Sequence, residues 1–571
     1  MGVNPSGIQH NGERISLTVV LLIIALFCGF PLVLLFKVGL TMDGSFSLSA
    51  LAEAVASKSV RNALLNSLDS SFFAALLSTT IGLGLALLIG LTNVRLKGLL
   101  VFLILLPMMI PPHVTAISWI QALGPSSPVL QWLGMAPAPG ATHPIYSRGG
   151  IIALLTIQHT PLVFLIVRAA LRNFPRELSD AARVCGARVF RMLIRVIIPL
   201  LLPALLSGFV LSFIAALGNF GITALLGIPA RYTTLPVLIW RRLSSFGPEM
   251  LPNVAVISII LAIITIAILS VQFILQRSLR SSLIGVPHAP LAIDLKKWRS
   301  ISETGIWIFI STTLLLPLFS LLATALVPTY GLPLSAETLT LVNFTEVIIV
   351  QEVTSRAFMN STLTAGTAAL LVALLSIVLG YYLISPHRQL CKIATGAAVL
   401  AETSYAIPGL IISIAFILAF IHPIPLLGVS LYGTLWIILI AYISSFFAIG
   451  LKPVVAAYHQ LDPNLDDAAR VTGASFRMRM QRIFTPLVAP TATSGAILVF
   501  LTAYNEVTVS SLLWSTGSET IGTVIFNYED GGYTTLAAAM SIITVFITII
   551  LMFGLNLLAG WVPAGVVPWR D

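Results

Sequence analysis

The sequence predicts an all-α polytopic membrane protein of about twelve transmembrane helices, arranged as two parallel repeats of six. Three observations carry this reading. The chain is 57% hydrophobic and only 9% charged over 571 residues, outside the composition of soluble globular domains. Apolar runs long enough to cross roughly 30 Å of hydrocarbon recur along the whole chain. An eight-residue motif at Asp180 returns almost unchanged at Asp467.

In the first half the expected spans lie near residues 15–40, 62–91, 98–120, 151–170, 200–226 and 254–275. The second half repeats the rhythm near 305–326, 361–384, 393–420, 432–450, 487–513 and 536–558. Pro107, Pro111, Pro112 and Pro408 are placed to kink the third and ninth spans, because proline removes a backbone donor and clashes with the preceding turn. The first run is too long for a signal-peptide core and lacks a small-residue cleavage site, so it is read as a span.

The net charge of +10 raises the question of nucleic acid, and its distribution answers it. With the N-terminus inside, the inner segments hold Arg14; Arg95 and Lys97; Arg168, Arg172, Arg176, Arg183, Arg188, Arg191 and Arg195; Arg277, Arg280, Lys296, Lys297 and Arg299; Arg388 and Lys392; Lys452, Arg470, Arg477, Arg479 and Arg482; and Arg570. Only Lys37, Lys58, Arg61, Arg148, Arg231, Arg241, Arg242 and Arg356 fall outside. This asymmetry is topological. It puts both termini in the cytoplasm and removes the case for nucleic acid. Cys28, Cys185 and Cys391 show no paired spacing, and the eight histidines show no metal-ligand spacing, so no disulfide framework and no metal site are expected.

Asp180-Ala181-Ala182-Arg183-Val184-Cys185-Gly186-Ala187 matches Asp467-Ala468-Ala469-Arg470-Val471-Thr472-Gly473-Ala474 at all but one position. Leu178 aligns with Leu465, Arg195 with Arg482 and Pro199 with Pro486 in the same register. With a slight drift, Asn66-Ser67 matches Asn360-Ser361, Asn219 matches Asn505 and Thr234 matches Thr520. Both motif copies lie in inner loops, so the repeats are parallel. The organisation read from this is a first half at 1–276, a cytoplasmic linker at 277–303 and a second half at 304–571.

Each motif has the marks of a short helix stopped by Gly186 or Gly473. A second helical stretch then leads to Pro199 or Pro486, which suits the opening turn of the next span. The Ala181-Ala182 face allows close approach by a partner's groove, and Arg183, Arg188 and Arg191 offer it charge. Taken singly, such a segment also reads as an amphipathic interfacial helix. Two copies in register, each followed by a matched proline, imply a partner with two equivalent grooves.

The pattern resembles the EAA loop of type I ABC importer permeases, with loops at about 173–199 and 460–486. It departs from that loop in having Asp180 and Asp467 for the glutamate, and Val196-Ile197-Ile198-Pro199 and Ile483-Phe484-Thr485-Pro486 at the end. The resemblance implies the type I permease fold in a bacterial inner membrane. It implies that Asp180, Ala181, Ala182, Arg183, Gly186 and Pro199, with Asp467, Ala468, Ala469, Arg470, Gly473 and Pro486, couple the chain to a homodimer of ATP-binding-cassette ATPase subunits. It further implies a periplasmic or lipid-anchored binding protein that delivers substrate. No phosphate-binding Gly-x-x-x-x-Gly-Lys-Ser/Thr occurs in this chain, so ATP and magnesium are expected on the partner ATPase, and no cofactor on the chain itself.

Glu506 to Ser515, Glu519 to Gly522 and Gly531 to Thr535, with Gly218 to Gly221 and Leu225 to Ala230 in the first half, resemble the fused permeases of ferric-iron importers. Permeases for thiamine, phosphonate and polyamine share the same plan. Acidic or amide groups inside spans are costly, roughly 2.5–3.5 kcal/mol for Asp at a helix centre, so Asp69, Glu402, Asn505 and Glu506 are expected to face protein or water. Asn219, Asn505, Glu506 and Glu402 form the candidate pathway; the other reading of them is hydrogen bonding between helices. A twelve-span secondary transporter also has parallel halves, but would concentrate its matched polar residues at mid-membrane. A channel or scaffold would have no use for two docking loops of one kind.

Overall fold

The computed structural model describes residues 5–558 except 43–44, 126, 139–140, 142, 173, 175, 246, 248–249, 280–292, 386–387, 425–427 and 463. Among the described residues ten helices are long and apolar enough to cross a bilayer. They are Gly12–Leu40, Lys58–Leu91, Arg148–Arg172, Val189–Leu217 and Met250–Gln276, then Trp298–Ala325, Glu352–Leu383, Leu435–Tyr458, Phe476–Tyr504 and Thr534–Gly554. The third position of each half is a bent pair, Lys97–Met109 with Pro112–Trp132 at 100° and Arg388–Ala406 with Gly409–Phe420 at 111°. Both halves therefore run straight, straight, bent, straight, straight, straight, as the repeat requires. Helices dominate because lipid offers backbone groups no partner outside the segment itself. Among the described residues one two-residue strand pair, Thr41–Met42 against Ser45–Phe46, follows the C-terminal end of the first span.

Three sequence expectations need correction. The third and ninth spans are broken rather than kinked, at Ile110–Pro111 and Ile407–Pro408, while Pro107 stays inside its helix. The fifth and eleventh spans end at Leu217 and Tyr504, earlier than the apolar runs suggest, and short helices Gly221–Gly227 and Ser510–Leu513 follow. Pro199 and Pro486 do not open their spans, because helix already begins at Val189 and Phe476. Each is instead tolerated by a π-helical turn, Leu193–Ile197 or Met480–Phe484, in which the N–H just before the proline reaches back five residues, from Ile198 to Leu193 and from Thr485 to Met480. The same wide turn precedes Pro31 and Pro317 in the first span of each half. The extra residue relieves the clash between a proline ring and the carbonyl four residues back.

The core of each half is its second, fourth and fifth spans, each packed on the other two. Small residues let these backbones approach. A Cβ on Gly82 would stand 2.9 Å from Val163 and 3.0 Å from the backbone of Phe164, and one on Gly450 would meet Val372 at 2.5 Å. The halves interlock through their first spans. Phe30–Leu40 packs on Gly409–Phe420 of the second half, and Leu316–Ala325 packs on Pro112–Leu123 of the first.

Gly82→Leu is therefore expected to destabilise the first half by about 1–3 kcal/mol, seen as a melting temperature lowered by several degrees in detergent. Gly84→Leu, with no atom within 4 Å of its Cβ position, should leave it unchanged.

Candidate functional site

The two matched loops fold alike. Asp180, Ala181, Ala182 and Arg183 lie on the helix Arg176–Val184, and Asp467, Ala468, Ala469 and Arg470 on Asn464–Val471. Both helices end in the same left-handed cap. Gly186 has φ +77° and Gly473 φ +81°, a conformation that disfavours any residue with a Cβ. Gly186 and Ala187 donate to the carbonyls of Arg183 and Ala182 at 2.9 Å each; Gly473 and Ala474 donate to Arg470 and Ala469 at 3.0 Å each. This is the paired bond of a Schellman cap. Of the two alanines the first is exposed in both copies, whereas Ala182 is half-buried and Ala469 buried. Val184 and Val471 are each 89% exposed, an apolar point at the tip of each loop.

The loops differ in their inner contacts. Arg183 is exposed, but Arg470 is turned inward. Its Nε donates to Asp466 at 2.8 Å and its Nη2 to Glu13 at 3.1 Å. Arg479 completes the group, donating to Glu13 and pairing with Asp466 at 2.9 Å. The hydroxyl of Tyr381 donates to both Asp466 oxygens at 3.0–3.1 Å. Sequence reasoning missed this cluster because Glu13 lies 466 residues from Arg479.

Between the halves lies a cavity of about 850 Å³. Leu211, Gly218, Thr265 and Leu269 line it from the first half, and Glu402, Tyr405, Pro408, Lys452 and Glu506 from the second. Glu402 and Lys452 face each other at 4.0 Å and are both well exposed. Of the four candidate pathway residues, Glu402 and Glu506 are in the lining; Asn219 and Asn505 are not. Asn219 instead accepts from the Ile222 N–H at 3.0 Å, starting the helix Gly221–Gly227. Glu506 does the same for Ser510–Leu513, accepting from Val509 at 2.6 Å and Ser510 at 3.1 Å. Asn505 donates to the Leu501 carbonyl at 3.1 Å and accepts from Thr548 at 3.4 Å.

One end of the cavity is shut. A Cβ on Gly218 would meet Pro408 at 2.8 Å. Just beyond, Phe220, Trp240 and Phe526 cluster across the halves with ring centroids 5.6–6.2 Å apart. The matched Asn-Ser pairs hold the loops that carry this cluster. Asn66 donates to the Thr233 carbonyl at 3.0 Å, and Ser67 accepts from Leu235 at 2.7 Å. Asn360 donates to the Glu519 carbonyl and Ser361 accepts from Ile521, both at 2.9 Å. Asp69 faces protein, receiving Arg148 at 2.6 and 2.7 Å and the Tyr232 hydroxyl at 2.7 Å.

Two copies of one six-span unit, with a helical loop under each and a cavity at their junction, define a membrane transport permease. The family described as the binding-protein-dependent transport system inner membrane component matches residues 78–284 and again 392–567. The chain belongs to that family, with two of its units fused. It is 24% identical to a probable ABC transporter permease protein of Sinorhizobium fredii over 95% of this chain and 94% of that one. It is 25% identical to a ferric transport system permease protein of Actinobacillus pleuropneumoniae over 94% and 77%. A molybdenum transport system permease protein of Escherichia coli is 30% identical over 36% of this chain and 90% of its own length. The chain is an ABC importer permease, a transport subunit.

Burial pushes the Glu529 carboxyl, at the end of the helix Ile521–Asp530, up to about 7, and its charge acts on Tyr146 and Tyr330. As pH rises the unfolded chain releases this proton first, so stability falls between about pH 4.5 and 7 and is level above, a loss of at most about 3 kcal/mol. In thermal melts, Glu529→Gln is expected to reduce the drop in melting temperature between about pH 5 and pH 7.5.

Proposed function

We propose that the chain moves its substrate inward across a bacterial inner membrane by alternating access, driven by a separate ATPase dimer. A 1–276 half and a 304–571 half are joined by a 277–303 linker whose residues 280–292 lie outside those described. Both termini and both matched loops are cytoplasmic, a reading supported by the inward bias of the basic residues. The observation that carries the proposal is the pair of loops. Two helices 287 residues apart (Asp180 to Asp467) share a register, a glycine cap and an exposed valine tip, as a partner with two like grooves requires. Asp180, Ala181, Arg183 and Gly186, and Asp467, Ala468 and Gly473, are the docking set, while Ala182, Ala469, Arg470, Pro199 and Pro486 hold each loop to its span. ATP and magnesium bind the ATPase subunits, and a binding protein brings substrate to the opposite face, where the Phe220, Trp240 and Phe526 cluster is the closed gate.

Ferric iron is the cargo we propose. The ferric-transport relative is matched over nearly the whole chain, and the cavity lining carries two carboxylates, Glu402 and Glu506, against the one ammonium of Lys452, a balance that suits a cation. Such a path binds iron only weakly, since it must release it. A molybdenum cargo is the second reading, on the strength of the 30% identical relative.

Purification of the tagged chain in mild detergent should bring two copies of one ATPase per chain, and its absence across several detergents would overturn the proposal. Gly186→Leu and Gly473→Leu meet no neighbour within 4 Å, so their effect is backbone strain of about 1–2 kcal/mol. Each is expected to lower uptake of radioactive ferric iron severalfold at unchanged membrane level. Asparagine at the same positions, which tolerates the left-handed conformation, should restore most of it.

A further inference from the structure

The two loops share a plan, and the second is bound by a buried ionic cluster to the opposite half. Glu13 and Asp466 supply two negative charges, Arg470 and Arg479 two positive ones, and the side chains of Glu13 and Arg479 are 4% and 1% exposed. Tyr382 donates to the Glu13 carbonyl at 2.8 Å and lies 2.6 Å from the Ser16 hydroxyl. Phe476 packs over both Tyr381 and Tyr382. Every hydrogen-bonding direction of the cluster thus ends on the loop, on the helix Glu352–Leu383, or on the first turns of the N-terminal helix.

Folding does not demand these charges. In the repeat register Asp466 corresponds to Ser179 and Arg479 to Met192, and both are fully buried in the first loop. The same cap and the same π-helical turn form there without them. Burying four charges where serine and methionine suffice gains little stability, since desolvation offsets most of the attraction. What such a cluster does supply is a unique, stiff geometry between two elements.

The N-terminal helix is suited to carry a motion onward. It starts at the second loop and runs to the last span of the first half, where a Cβ on Gly39 would meet Ile259 at 2.5 Å and the backbone of Ala255 at 3.2 Å. That span, Met250–Leu279, lines the cavity through Thr265, Leu269 and Phe273.

We propose that Glu13 is a positioning residue for coupling: it fastens the second cytoplasmic loop to the N-terminal helix of the first half, so that displacement of this loop moves the first-half wall of the cavity. The inference rests on the importer reading. It lets the second loop act on both halves.

The test uses the chain with its co-purified ATPase in lipid nanodiscs, with Cys28, Cys185 and Cys391 replaced by serine. Single reporters, Leu269→Cys on the first-half wall and Thr403→Cys on the second, are labelled with a membrane-impermeant maleimide, without nucleotide and with ATP plus vanadate. Glu13→Gln leaves Arg479 short of its partner, so the decisive variant is Glu13→Gln/Asp466→Ser/Arg479→Met, which gives the second loop the first loop's residues. This variant should assemble with the ATPase and keep the nucleotide response at Thr403→Cys, while the response at Leu269→Cys falls at least about fivefold. Wild-type responses at both reporters would overturn the proposal, and so would failure of the variant to assemble, which would make the cluster merely structural. No response at either reporter in the unmutated network would sink the importer reading, and this proposal with it.

Discussion

Inside hydrocarbon a backbone N–H or C=O without a partner costs several kcal/mol, so a chain that must open a path there can leave the helix only where protein replaces the missing bonds. The prolines show how this protein meets that constraint. Pro31, Pro199, Pro317 and Pro486 each follow a π-helical turn that keeps the span continuous. Pro111 and Pro408 are different, because there the helix stops, turns through 100° or more and restarts. The second break packs against Gly218 at the shut end of the cavity. The irregular backbone lies where the two halves meet, shielded from lipid.

Close packing then fixes how the halves can move. Glycines at 82, 208, 450 and 495 bring the second, fourth and fifth spans of each half to within contact of backbone or β-branched side chains, which makes each half a stiff body. The exchange of first spans between halves adds two long levers lying across the junction. The cavity and the aromatic cluster both lie at that junction.

The number of spans, the parallel repeat and the paired loops were legible because each rests on local signals: apolar length, glycine at a cap, a motif in register. Span ends at Leu217 and Tyr504 were not, since apolar residues resume just past each break, at 222–226 and 512–513. Beyond each end a side chain starts a new short helix instead, Asn219 in one half and Glu506 in the other. Asn219 was matched with Asn505, but the span ends at Leu217 and Tyr504 and the shared capping role pair Asn219 with Glu506 instead, and neither asparagine lines the cavity. The Asn66-Ser67 and Asn360-Ser361 pairs were seen only as register marks; their hydrogen bonds across more than 150 residues of chain gave them a purpose. The ionic cluster was illegible for the same reason of distance. Its one local sign was a departure from the repeat, acid and arginine at 466 and 479 where the first half has serine and methionine.

Departures of this kind separate what duplication keeps from what it frees. The glycine caps, the valine tips, the π-helical turns before proline and the Asn-Ser clamps recur in both halves, and each but the exposed valine tips satisfies backbone groups. Charge recurs only in part: Asp180 and Arg195 match Asp467 and Arg482, but Asp466 and Arg479 stand where the first half has Ser179 and Met192. Arg470 and Arg479 are drawn into a cluster with Glu13, whereas Arg183 stays exposed; Glu402 and Lys452 stand on the second-half wall of the cavity, opposite Leu211, Thr265 and Leu269. Once the halves were joined in one chain, each loop and each wall could change without its copy changing too. A fused permease can thus keep a symmetric backbone scaffold while side chains such as Asp466 and Arg479 depart from Ser179 and Met192 in one half alone.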